Sequence, residues 1–406
     1  MIVAFSRFPA FTSLKYSFRH GLVNLGVIGL GTVVALLLAE VLSRFLHPLS
    51  TVEYRIDEEV GQILVAGQSS RWVSKDYDVL VTTNNAGFHD VEHEAGKSAD
   101  RYRIIVLGDS YIEALQLPID QGFTQQLEQL LGRSIKKRRV EVINLGVSGS
   151  GPAQYYRILE KKGLMYKPDL VVMAVFPDND FRDSDPDVSG AIFKPYYRLG
   201  ADGGLDYRAP RTAEIGSALR PWLRRSAFLH LLREGISSFA LERWLASIGL
   251  LAPTAGIMVE DPAVPPGWSI YLADPPMKWQ ETEKLTFRLI REAHSLSEQH
   301  GADFVVMVIG SVPAVENRWK EVLSRYPGSG DIRWDYGRPL SMLQALGQQW
   351  RFDLIDLTEP FRSDFLATGQ SSSWPHDGHW NARGHRLGAE VVSSNLVKHG
   401  QKYGLQ

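Results

Sequence analysis

Five short apolar runs rich in β-branched residues recur along the chain with helix-like stretches between them. This alternation limits the possible folds more than any other feature. The runs are Ile104–Leu107, Val140–Asn144, Leu170–Val175, Phe304–Ile309 and Phe352–Ile355. The intervening stretches are Gln121–Leu131, Ala153–Gly163, Met277–His300 and Arg338–Gln349, and Asn381–His399 follows the last run. Strands buried on both faces and joined by helices predict an α/β fold with a parallel, doubly wound sheet. Such sheets place their sites outside the carboxyl ends of the strands. Ser110, Gly149 and Asn179 each fall just after such an end. The chain has 406 residues, enough for one large domain or two modest ones.

Residues 1–20 read as a cytoplasmic N-terminus. Residues 21–42, GLVNLGVIGLGTVVALLLAEVL, are almost wholly apolar. About 20 such residues span a hydrocarbon core of about 30 Å as a helix. Arg7, Lys15 and Arg19 precede them with no acidic residue, which orients the following chain outward. The expectation is a retained single-pass anchor in a bacterial inner membrane with the remainder periplasmic; cleavage as a signal peptide is the competing fate. Residues 43–100 form a lead-in segment, with a strand and then a turn in Thr82–Asp90. Residues 101–400 hold the α/β domain. An insertion at 184–275, rich in Pro, Gly, Arg and Trp, breaks its rhythm. It leaves near Asn179 and reads as a cap with a helix pair around Arg220–Ile248.

Net charge is −2, from 44 basic and 46 acidic residues, so charge offers no case for nucleic acid. The absence of cysteine excludes a thiol nucleophile, cysteine-ligated metal and disulfides.

Candidate chemistry begins at Gly108-Asp109-Ser110, where an apolar strand stops in a small-residue turn that carries a hydroxyl. A serine nucleophile needs an adjacent base, and histidine titrates near working pH. His379 suits, with Asp377 two residues before it to orient the ring. Acyl transfer also needs donors for a developing oxyanion. The candidates are the Ser110 N–H, the backbone at Gly149 and the Asn179 side-chain amide. His376 ranks below His379 as base, and His385 reads as structural. His89 and His93, among Asp90, Glu92 and Glu94, read as a solvated charged face rather than a metal site. Trp374 and Trp380 flank the base and suit either sugar stacking or loop packing.

Together, Gly108-Asp-Ser110, Asn144-x-Gly-x-Ser-Gly149, Asn179-Asp180 and Asp377-x-His379-x-Asn381-x-x-Gly384-His385 resemble the SGNH (GDSL) hydrolase superfamily over residues 101–398, leaving the insertion unmatched. Asn85-Ala-Gly-Phe-His-Asp90 resembles a segment ahead of the catalytic domain in some bacterial members. The resemblance implies a flavodoxin-like five-stranded sheet and ester hydrolysis or acyl transfer without metal or cofactor. It makes Ser110 the nucleophile, His379 the base and Asp377 its partner, with Gly149 and Asn179 completing the oxyanion hole. Two features depart from the family pattern. Asp-x-His replaces the usual Asp-x-x-His; a similar Asp-x-His-Trp occurs in an alginate-acetylation branch, there ahead of the serine. Asp178 stands where glycine is common. The expected activity is an esterase acting on an O-acyl, foremost O-acetyl, ester of an exported glycan. An O-acetyltransferase working with a membrane acyl-transfer partner and a catalytically silent scaffold of a polysaccharide complex are the alternatives.

Overall fold

The computed structural model describes residues 12–46, 50–189, 194–200, 203–209, 226–229 and 261–405. They fall into two compact units. One holds the N-terminal helix and residues 216–241; the other holds 50–215 and 242–406.

In the first unit a helix runs over Thr12–Leu46. Its Val23–Phe45 stretch has mean hydropathy 2.3 and is long and apolar enough to cross a membrane, as a signal sequence would also be. Its apolar side chains are exposed, Leu25 and Leu30 at 67% among them. Glu40 accepts hydrogen bonds from Ser226 Oγ at 2.7 Å, Ala227 N at 3.0 Å and Phe228 N at 3.1 Å. The remainder of the expected helix pair lies outside the described residues.

The second unit is built on five parallel strands: β5 (Arg101–Gly108), β6 (Arg139–Gly146), β7 (Leu170–Val175), β10 (Asp303–Val308) and β11 (Asp353–Asp356). Their order is β11-β10-β7-β5-β6. Counted along this sheet alone the order is 2-1-3-4-5, the flavodoxin-like arrangement. Each expected run falls on one of these strands to within a residue, Ile309 lying just past β10 and Phe352 just before β11. The pleat sends successive side chains to opposite faces. Ile105, Leu107, Met173 and Val306 join one buried cluster, while Ile104, Val106, Val172 and Met307 join the other.

The lead-in forms two antiparallel hairpins, β1 (Tyr54–Asp57) with β2 (Gly61–Leu64) and β3 (Ser69–Val73) with β4 (Asp78–Thr82). The strand expected in Thr82–Asp90 therefore ends at Thr82. The turn after it is present: Asn84 Oδ1 accepts from Ala86 N at 3.1 Å and Phe88 N at 3.0 Å, and Gly87 has φ +85.

The charged stretch around His93 is not a solvated face. His93 Nδ1 lies 2.8 Å from Glu141 and Nε2 lies 3.0 Å from Asp90, and the ring is 2% exposed. Glu141 also accepts from Arg103 Nε at 2.7 Å, and Arg103 is fully buried. Its guanidinium spends its other donors on the carbonyls of Glu94, Ala95, Gly96 and Tyr166. Burying these groups is tolerable because every charge meets an opposite charge or several acceptors. The result clamps the lead-in onto β5 and β6.

Of the insertion, β8 (Tyr196–Leu199) and β9 (Leu205–Arg208) form a hairpin. Tyr197 packs with Ala153, Leu285 and Leu289 on two flanking helices. The cap reading rests mainly on residues 210–225 and 230–260, which lie outside the described residues.

Candidate active site

Ser110 begins a one-turn helix, Ser110–Glu113, directly after β5. Asp109 caps it by accepting from Tyr111 N at 2.9 Å. The strand passes into the helix so abruptly that a Cβ on Gly108 would lie 2.3 Å from Ile112 Cγ1. Space, rather than backbone freedom, demands glycine there.

The base arrives on the loop before the final helix, Ala382–Lys398, which Asn381 caps by accepting from Gly384 N. Trp374 N donates to His379 O at 2.8 Å and Gly378 N to Trp374 O at 2.9 Å, closing the loop on itself. Gly378 has φ +84 with open space around it, so its requirement for glycine is conformational. That turn accounts for the short Asp-x-His spacing. Asp377 Oδ1 accepts from His379 N at 3.1 Å and also contacts His379 Nδ1. His379 Nε2 lies 2.7 Å from Ser110 Oγ. The structure thus brings Ser110, His379 and Asp377 into one chain of hydrogen bonds.

Electrostatics favours a charged Asp377 and a basic His379. Burial opposes ionisation of Asp377, but the hydrogen bond and charge of His379 outweigh it and hold the carboxyl below its usual range. Burial likewise pulls His379 down, yet the hydrogen bond and charge of Asp377 raise it above the ordinary histidine value.

The remaining candidates come from a helix and a loop. Asn179, in the helix Pro177–Ser184, donates through Nδ2 to Asp109 Oδ2 at 2.9 Å, which places it beside the serine turn. One amide hydrogen is thereby engaged and the second is left for another acceptor. Gly149 adopts φ +68, and its carbonyl receives Lys194 Nζ. The preceding residue is tied down: Ser148 N donates to Glu113 Oε2 at 3.1 Å and Ser148 Oγ meets the same oxygen. Tyr54 OH donates to that oxygen at 2.8 Å. Burial pushes Glu113 up to about 7 despite these bonds.

Asp178 does not intrude on the site. Its Oδ1 accepts from Tyr271 OH at 2.5 Å, at the far end of the insertion. Burial raises it to about 6 against hydrogen bonds from Tyr271, Ser311 and Trp268.

His376 sits apart from the serine, exposed, with Nδ1 2.6 Å from Asp76. His385 is buried and accepts from Phe123 N at 3.2 Å. Burial depresses it to about 3, so it is a neutral structural ring. Trp380 is 1% exposed, between Tyr111 and Phe361, which removes it as a sugar platform. Trp374 is half-buried against Tyr77. Among the described residues no cluster of three or more ligating side chains could hold a metal ion.

Sequence reasoning missed two contributors from the β3–β4 turn. Tyr77 OH donates to Asp377 Oδ2 at 2.6 Å. Asp76 Oδ2 accepts from His376 N at 2.9 Å and Asp377 N at 2.8 Å. Their separation from the base loop, about 300 residues, leaves no local signal.

No family model and no curated protein sequence matches the chain. Solved structures do resemble it in outline. A lipase/acylhydrolase from Enterococcus faecalis is 12% identical, with 73% of this chain and 96% of that one covered and a TM-score of 0.34. The acetyl xylan esterase AlAXEase is 14% identical, covering 72% of this chain and 99% of that one, with a TM-score of 0.37.

Proposed function

We propose that the chain is an SGNH-type serine esterase that cleaves O-acyl esters, carried above all by the 2.7 Å approach of His379 Nε2 to Ser110 Oγ with Nδ1 on Asp377. His379 takes the Ser110 proton as the oxygen attacks the ester carbonyl. The negative charge that develops on the carbonyl oxygen is met by the N–H groups of Ser110 and Gly149 and the second Nδ2 hydrogen of Asn179. Collapse expels the alcohol, which leaves with the proton from His379. Water, activated by the same imidazole, then attacks the acyl-serine, and the second collapse frees the acid and restores Ser110. Asp377 keeps the ring oriented and balances the imidazolium.

The substrate follows from setting rather than from the site. The apolar Val23–Phe45 helix supports anchoring in an inner membrane with the α/β unit facing the periplasm. An O-acetylated exported glycan is an ester class that such a setting supplies. A sugar hydroxyl in place of water at the second step would make the same machinery an O-acetyltransferase.

The test is fluorophosphonate labelling of the full chain with peptide mapping of the adduct. A single adduct at Ser110, lost in His379→Ala, is expected. A folded protein that takes no label would reject the esterase and leave a silent scaffold.

A further inference from the structure

Two tyrosines of the lead-in reach the loops on which the proposed chemistry depends, one from each hairpin. From the β3–β4 turn, Tyr77 OH donates to the outer oxygen of Asp377 at 2.6 Å. That is the oxygen His379 does not use, since both His379 contacts fall on Oδ1. The neighbouring Asp76 fixes the backbone of the same residue by accepting from Asp377 N at 2.8 Å. Its side chain is 3% exposed. Trp72 Nε1 lies 3.2 Å from Tyr77 OH, and the Trp374 ring sits 5.8 Å from the Tyr77 ring. The phenol is thus held in place on its own side. From β1, Tyr54 OH donates at 2.8 Å to Glu113 Oε2, the oxygen that also receives Ser148 N, one residue before Gly149.

We infer that the lead-in is a working part of the active site: Tyr77 is a positioning residue for the Asp377–His379 pair, and Tyr54, through Glu113, is one for the Gly149 loop. The inference rests on the serine-esterase reading and deepens it. The physical need follows from the short spacing of this loop. With only glycine between acid and base, Asp377 Oδ1 already serves two donors of His379, and the carboxylate can pivot about that oxygen. A second donor on Oδ2 removes the pivot. A hydrogen bond to a charged carboxylate is among the stronger ones available for this. On the other wall, Glu113 collects a hydroxyl and a peptide N–H from Ser148, and the Tyr54 phenol supports it from the side of the lead-in. Holding the Ser148 peptide fixes the direction in which the next N–H, that of Gly149, points.

Tyr77→Phe keeps the ring packed on Trp374 and removes only the donor. With an ester such as p-nitrophenyl acetate, kcat should fall about tenfold or more, the size of a lost hydrogen bond to a charged group, while KM stays within about twofold. Fluorophosphonate should react with Ser110 correspondingly slowly yet reach full stoichiometry, and the thermal midpoint should hold. In an Asp377→Asn background the same change should cost little more, because both act through one contact. Tyr54→Phe should lower kcat by a smaller factor at unchanged KM, and its cost should add to that of Tyr77→Phe.

If wild type labels and Tyr77→Phe labels at the same rate, the positioning role is overturned. A slower rate that comes only with lost stoichiometry or a lowered midpoint overturns it too, since that is what a merely structural contact would give. If wild type itself takes no label, the esterase reading fails and this inference fails with it.

Discussion

The two sides of the proposed active site handle their carboxyl groups in opposite ways. On the base wall Asp377 is held below its usual range by His379 and stays charged. On the oxyanion wall burial raises Asp109, Glu113, Asp178 and Asp180, the last well above its ordinary value. In the proposed mechanism charge serves the base wall, because an imidazolium forms there in each half-cycle. It would harm the oxyanion wall, where the developing charge is itself negative. That wall turns its carboxyls inward onto donors: Asp109 onto Asn179 and Tyr111, Asp178 onto Tyr271, and Asp180 onto Tyr155 and Phe176 N. The same residue type bonds the imidazole on one side and mainly braces the backbone on the other, where Asp109 and Glu113 reach His379 only through charge.

Paired substitutions test this contrast. Asp377→Asn should cost most, roughly 10⁴-fold in kcat, because the amide no longer holds the His379 tautomer that leaves Nε2 free to accept the serine proton. Asp178→Asn should sit at the other extreme, within about threefold, since Tyr271 can still donate to the amide oxygen. Equal losses in ester-hydrolysis rate would erase the distinction between the walls. Between them falls Asn179→Ala, expected to lower kcat about 10²–10³-fold with little change in KM, as one oxyanion donor does.

Titration sharpens the contrast further. His379 must be neutral to accept the serine proton, and its pKa lies above the ordinary histidine value. The acidic limb of kcat/KM should therefore lie above about 6.5, with activity falling tenfold per unit below it. In Asp377→Asn the main raising partner is gone while burial and the weaker pull of Asp109 and Glu113 remain, so the residual activity should show this limb at lower pH. A limb that stays put would mean that another group sets it. The smallest effect concerns the loop itself. Gly378→Ala, at φ +84 with nothing near its Cβ, should cost about 1–2 kcal/mol of loop conformation and a modest part of kcat.

The sheet was legible because its five runs are apolar, rich in β-branched residues and separated by helix-like stretches, a pattern the sequence reports directly. Ser110, His379 and Asp377 were legible because each sits beside a strand end or ahead of a helix cap that local patterns mark. Asp178 was harder: sequence placed it beside Asn179 but could not show its side chain turning to Tyr271. His93 was misread because alternating acidic and basic residues look solvated. One sign lay elsewhere, in Arg103, a charge within an otherwise apolar strand that had to find a partner. Tyr77 and Asp76 were illegible for another reason. A hairpin turn holding Ser, Lys, Asp and Tyr looks like any surface turn until the residues it touches are known.

Those touches have a consequence for how the chain comes to life. Tyr77 with Asp377, Asp76 with His376, and Tyr102 OH with the Tyr403 carbonyl at 2.7 Å each join segments about 300 residues apart. Contacts of such separation close late in folding, after local structure has formed. During synthesis the lead-in hairpins and the serine turn emerge well before the base loop, since His379 follows Ser110 by 269 residues. A nascent chain therefore displays its serine hydroxyl with no imidazole to activate it. In the proposed mechanism the serine is activated only once the segment carrying His379 docks against the lead-in hairpins.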